Sequence, residues 1–249
     1  MALLDIVQYG LWFAAPLGQL AAAVAMVCRR LHREFPWFFV YTVFHIIQAV
    51  AGLLIYQRAY TGYFYFYWGS ESVDALLSLA VIQEVFSLVF REYGALERLG
   101  QILYRWAVIV LIAIAVASAA SAPGTANSPL ITGLLVLERS TDFVNCGLLF
   151  FLFLLSRYFG LLWRHVVFGI AFGMGVMTSI LTITAALQAQ FATSELVSRL
   201  IPPIAFDTAV AIWVWYCLAP EPKLTVNRVL PGHEELQKWN DALADMVNR

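Results

Sequence analysis

Seven stretches of this chain are long and apolar enough to cross a bilayer as helices, and that limits the fold more than any motif does. A span needs about 20 mostly apolar residues at about 1.5 Å of rise each. The candidates fall at roughly 4–28, 36–57, 72–90, 105–122, 129–156, 161–189 and 197–218. The fifth and sixth exceed the bilayer and are expected to tilt or protrude. Breaks come where helices should stop, at Arg-Arg-Leu-His-Arg (29–33) before Pro36 and at Ala-Pro-Gly (122–124) before Pro129.

Composition agrees with lipid as the solvent. The chain is 61% hydrophobic and only 12% charged, with mean hydropathy +0.77, whereas a soluble domain carries about 25% charged residues. The predicted fold is all-α, a seven-helix transmembrane bundle over residues 1–219 followed by a polar tail over 220–249. The first apolar run has no basic region before it, so it reads as a span and not as a cleavable signal. Net charge is −1, which leaves no basic surface for nucleic acid. Cys28, Cys146 and Cys217 lie in or beside apolar runs without Cys-x-x-Cys spacing, and read as small buried hydrophobes.

Orientation follows from Lys and Arg near the span ends. One side collects Arg29, Arg30, Arg33, Arg91, Arg98, Arg105, Arg157, Arg164, Lys223 and Arg228, and the other only Arg58 and Arg199. The N-terminus is therefore expected outside and the C-terminus in the cytoplasm, in a multi-pass protein of the plasma (inner) membrane. The outer segment 59–68, "AYTGYFYFYW", suits the headgroup zone, as an aromatic belt or as a lid. In the tail, Leu236, Trp239, Leu243 and Met246 recur at helical spacing after Pro231, predicting an amphipathic helix over about 232–248. Such a helix can dock on the bundle, lie on the membrane, or bind a cytoplasmic protein. "REYGALER" (91–98) and "RYFGLLWR" (157–164) share Arg-x-aromatic-Gly-x-Leu-x-Arg at two cytoplasmic ends. That is either a weak repeat of two hairpins or the ordinary preference of such ends for Arg, aromatics and Gly.

Six of the seven spans carry one polar stripe at helical spacing. In the fifth, Glu138, Thr141, Asp142 and Asn145 share a face inside "LERSTDFVN", with Arg139 about 100° around and within reach of Asp142. The second aligns Tyr41, His45, Gln48 and Gly52, and the first aligns Asp5, Gln8, Trp12, Ala15 and Gln19. The third has an outer patch, Asp74 and Ser78, and an inner one, Glu84, Ser87 and Arg91. The sixth offers Gly175, Thr178 and Thr182, the seventh offers Pro203, Asp207 and Ala211, and the fourth has no stripe beyond small serines, so it is expected at the periphery.

In lipid such faces turn inward. Counted from the span ends, Glu138 lies about 13 Å deep and Asp142 about 6 Å further. His45, Asp207 and Glu84 are expected near the same level. Ligand- or ion-binding residues are therefore expected to be Glu138, Asp142, Asp207, His45, Glu84, Gln48 and Asn145, with Arg139 as counter-charge. An ionised side chain at bilayer centre costs a few kcal/mol (about 2.5–3.5 on insertion scales). Four acids against one arginine therefore imply bound protons, water or a cation. The plainer alternative is that these groups merely pin the helices together.

Seven spans with this orientation resemble the topology of microbial rhodopsins, whose last span carries a retinal lysine. Here the only lysines are Lys223 and Lys238, both in the tail, which excludes a retinal Schiff base. Bis-histidine haem is not expected, because His45 is the one mid-span histidine. There is no Glu-x-x-His pair, His-Glu-x-x-His, Gly-x-Ser-x-Gly or P-loop. A membrane enzyme therefore ranks last. The first reading is a small transporter or channel for protons, a metal ion or a small cationic solute. A seven-helix sensor or receptor signalling to a cytoplasmic partner is second, and an accessory or homo-oligomeric subunit of a membrane complex third. Pro202-Pro203 and Gly169/Gly173/Gly175 read as broken-helix signals for the first.

The ten-to-two basic bias predicts that a fluorescent protein fused to the C-terminus glows in intact cells, and that alkaline phosphatase fused there is inactive. The opposite pair of results would reverse the orientation.

Overall fold

The computed structural model describes residues 2–58, 60–90, 129–159, 165–190 and 195–220, with single positions between 102 and 113. Among the described residues there is no strand. The helices are α1 (Ala2–Cys28), α2 (Pro36–Arg58), α3 (Tyr60–Phe90), α4 (Pro129–Phe159), α5 (His165–Gln190) and α6 (Glu195–Leu218), with a 3-10 turn at Leu31–Arg33. Five described stretches are long and apolar enough to cross a membrane: Gly10–Cys28, Pro36–Ile55, Gly62–Phe90, His165–Gln188 and Leu200–Leu218. The fifth expected span corresponds to α4, which is long enough but carries Glu138, Arg139 and Asp142 close together. Most of the expected fourth span (105–122), the segment 91–98 and the tail helix 232–248 lie outside the described residues.

One boundary differs from expectation. The aromatic segment 59–68 is not a separate interfacial loop: α3 begins at Tyr60, almost directly after α2 ends at Arg58. Nothing in "YTGYFYFYW" removes a backbone donor, so the helix propagates through it. Its rings meet at i,i+4 spacing, Tyr63 with Tyr67 and Phe64 with Trp68, each at 6.4 Å between centroids.

The six helices close a ring in chain order, α1 against α2 and so on round to α6 against α1, and α3 also touches α5. Most walls are polar at one end and apolar at the other, while α5 gives the polar end only Met177 and Leu181. Gln19, Gln48, Ser70, Asp74 and Glu138 belong to one end. Met26, Phe35, Phe38, Phe86, Phe90, Leu152, Val166 and Trp213 are buried at the other and form one apolar core. The outer surface is greasy throughout: Leu17, Val50, Phe150 and Trp215 are all exposed, as lipid-facing residues should be.

Small residues permit the tight core. Gly169 and Gly173 are four apart on α5, and a Cβ at either would run into Tyr216 or Trp213 of α6; a Cβ at Gly18 of α1 would run into Val210. Such close approach is a familiar mode of helix association in lipid, where no hydrophobic drive between helices exists. These glycines and Pro202-Pro203 were read as possible breaks, yet α5 and α6 are continuous helices. The glycines serve packing instead. Trp213 sits against Gly173, donates its indole N–H to the Ile170 carbonyl at 3.3 Å, and meets Phe38 edge-on at 5.3 Å.

Two charged groups cap neighbouring helices at this packed end. Both Glu84 oxygens accept backbone N–H bonds at 3.0 Å, from Trp37 and Phe38 in the first turn of α2. Those donors have no partner within their own helix, and the carboxylate sits at the positive end of the helix dipole. Arg29 Nη1 donates to the carbonyls of Cys217 (2.6 Å) and Ala219 (2.7 Å), the negative end of α6.

Gly173→Ala is expected to cost about 1–3 kcal/mol through overpacking against Trp213. It should lower the melting temperature in detergent, while Gly147→Ala, whose added methyl meets nothing within 4 Å, leaves it nearly unchanged. Equal melting temperatures for the two variants would refute the close-packing role.

Candidate functional site

The polar end of the ring encloses a cavity of ≈ 770 Å³ to which all six helices contribute. α2, α3 and α4 build a ladder across it. At the floor, Asn145 Nδ2 donates to Ser78 Oγ at 3.0 Å, and Ser78 donates to the Ala75 carbonyl. One turn higher, His45 Nε2 stands 2.9 Å from Asp74 Oδ1, an ion-pair distance without the alignment of a hydrogen bond. Higher again, Gln48 Nε2 donates to Ser70 Oγ at 3.0 Å. At the rim, Gly52 faces the rings of Tyr63 and Phe66. From Tyr41 to Gly52 the wall runs eleven residues, about 16 Å of helix.

Five carboxylates line this space: Glu71 and Asp74 from α3, Glu138 and Asp142 from α4, and Asp207 from α6. His45 is the one basic side chain among the lining residues, which include no Lys or Arg. Glu71, Asp74, Glu138 and Asp142 are close enough to repel one another. Asp207 stands on the α6 wall beside Phe206, whose ring lies 4.8 Å from that of His45. Rings of Trp12, Tyr41, Tyr63 and Tyr67 fill much of the remaining wall. Several buried polar atoms have no partner among the described residues: both amide atoms of Gln19, Tyr41 Oη, Thr141 Oγ1 and both Asp207 oxygens.

Of the residues singled out from the sequence, Glu138, Asp142, Asp207, His45 and Gln48 line the same cavity. Asn145 is fully buried just beneath, holding Ser78. Glu84 is elsewhere: capping the start of α2 sets it at the packed end, about 13 Å along α2 from His45. Arg139 is exposed on the outer face of α4, and no Arg139–Asp142 ion pair exists among the described residues. The 100° step that turns Glu138 and Asp142 inward turns Arg139 outward. Its charge still reaches Glu138 through space.

The contact between an acid and a basic side chain falls instead between Asp74 and His45. Asp74 was visible only as half of an outer patch. Glu71 went unread because the third span was drawn from residue 72. With the helix extended to Tyr60, Tyr67, Glu71, Asp74 and Ser78 form one continuous stripe at i, i+4, i+7 and i+11. Side chains of Asp5 and Gln8 lie outside the described set.

Chemically, the cavity can neutralise a positive charge, accept hydrogen bonds and pack aromatic rings. Among the described residues no three of His, Cys, Asp and Glu gather closely enough to hold a metal ion. No protein-family model matches the chain, and neither a curated protein nor a solved structure shows significant similarity to it.

The ion-pair geometry sets an expectation for two double-mutant cycles read by stability in detergent. His45→Gln with Asp74→Asn should be coupled by more than about 0.5 kcal/mol, and Arg139→Met with Asp142→Asn should be additive within that margin. Coupling in the second cycle and none in the first would contradict the side-chain placement.

Proposed function

We propose that this protein is a small multi-pass transporter that admits a cation from outside into an acidic cavity. The carrying observation is the lining itself: five carboxylates and one histidine, with no Lys or Arg among the described lining residues, in a largely apolar bundle. Such a cavity concentrates cations and repels anions, because charge is poorly screened between low-dielectric walls. The segregation of most walls into a polar and a packed end supports alternating access, with the cavity open at one end and shut by the Trp213 core at the other.

A seven-span topology belongs to the same reading. α3 ends at the packed end and α4 begins at the cavity end. This supports one further crossing between them, where the isolated helical positions at 102, 104–106, 109–110 and 113 fall. The basic bias of the sequence then sets the cavity outward and Arg29 at the cytoplasmic face. A receptor using the same cavity is the second reading, favoured by the closed packed end.

Flux separates the two. In proteoliposomes, a protonophore-free pH gradient or an imposed cation gradient should dissipate faster with the protein than without it, and Asp142→Asn should slow the dissipation at least about tenfold, as loss of a charge-assisted contact does. A protein that binds cations yet passes none is a receptor, and the transport reading falls.

A further inference from the structure

The ligand class can be drawn more narrowly than "cation", and this step rests on the reading that the cavity takes one. We propose that its ligand is an organic ammonium ion: a protonated primary or secondary amine carrying an apolar, preferably aromatic, body.

Four independent features converge on that chemistry. The first is size. A cavity of ≈ 770 Å³ falls in the range of about 300–1,000 Å³ that holds drug-sized molecules, far beyond a bare alkali ion. The second is charge without metal geometry. Carboxylates stand on α3, α4 and α6 rather than in one tight shell, and no described triad can grip a metal ion. Dispersed acids suit a cation whose body holds its charge away from some of them.

The third feature is the ring content. Trp12, Tyr63 and Tyr67 stand around the rim and His45 and Phe206 further in. Aromatic faces attract organic cations and pack apolar bodies.

The fourth is the supply of acceptors for N–H donors. Gln19 is 1% exposed, lines the cavity, and neither its amide oxygen nor its nitrogen is bonded within the protein. Tyr41 and Thr141, equally buried in the lining, have unpartnered hydroxyls. Three prolines, Pro16, Pro202 and Pro203, also lie in the wall inside α1 and α6. Each lacks the N–H that would bond the carbonyl four residues earlier. The carbonyl of Trp12, a residue of the cavity lining, is thereby left without that intrahelical donor. An ammonium with N–H donors satisfies such acceptors; a quaternary ammonium or an alcohol cannot satisfy both the charge and the acceptors.

The test uses the full-length protein in detergent and four additives at matched ionic strength: phenethylamine hydrochloride, 2-phenylethanol, sodium 3-phenylpropionate and sodium chloride. Titration calorimetry, backed by melting temperature, reads binding. Phenethylamine is expected to bind at least about tenfold tighter than the alcohol, the worth of one charge-assisted hydrogen bond, and the carboxylate is expected not to bind. Gln19→Leu and Asp74→Asn should each weaken amine binding about tenfold, while Phe150→Leu on the outer face leaves it unchanged. Equal affinity for amine and alcohol would overturn the proposal. So would saturation by sodium chloride alone with no response to the amine; in that case the cavity remains a cation site and only the ligand class fails. Absence of any cation response overturns the ligand class and the transporter reading together. If Asp74→Asn does not fold, the comparison of amine, alcohol and carboxylate on the unaltered protein still decides.

Discussion

The open half of the bundle depends on the closed half. Several acids share the middle of the ring, and among the described residues the cavity end is held by pairwise contacts such as Gln48 with Ser70. At the other end Trp213 is wedged against Gly173 and bonded to the Ile170 carbonyl, with Phe38 edge-on to it. Glu84 and Arg29 fasten the end of α2 to α3 and the end of α6 to α1. Each of these charges is held by backbone groups that a helix cannot satisfy alone. The same bonds that remove a charge from lipid also fix where neighbouring helices start and stop.

That division of labour explains why charged residues of similar appearance act so differently. Glu84 and Glu138 are both single acids in apolar helices. Glu84 faces the first turn of α2 and is consumed by two N–H bonds. Glu138 faces a space walled by side chains, with other acids near and no backbone donors to spend itself on. The first fastens two helices, and the second lines the cavity. Arg139, one residue along, faces outward.

Much of this was legible in the residues. The helical class follows from the length of the apolar runs, and the stripes of α2 and α4 pointed to His45, Gln48, Glu138 and Asp142 as one lining. Register along a helix is periodic, so facing can be read from spacing alone. Depth and partner choice cannot. Glu84 was set at the wrong level because its distance from a span end says nothing about which helix terminus it meets. Asp74 was passed over because the pairing with His45 is a property of two helices brought together. Glu71 was lost to a boundary drawn where aromatic residues looked like an interface. The glycines of α5 read as broken-helix signals; only the rings of Tyr216 and Trp213 facing Gly169 and Gly173 show that those two make room.

Passage of any solute beyond the floor requires the packed end to part. In lipid the parting of two helices costs only packing, since hydrocarbon replaces protein. Letting water into the gap is dearer. A large aromatic such as Trp213 buries about 150–250 Å², or roughly 4–6 kcal/mol at about 25 cal/mol per Å². One weak contact to a ligand shifts an equilibrium by only about 1.4 kcal/mol per tenfold of differential affinity. A single such contact therefore cannot open the closed end. Several carboxylates acting on one cation, or a membrane potential contributing about 2.3 kcal/mol per charge per 100 mV, reach the required size. Under the proposed transport reading, opening the packed end therefore needs more than one favourable contact, or the membrane potential in addition.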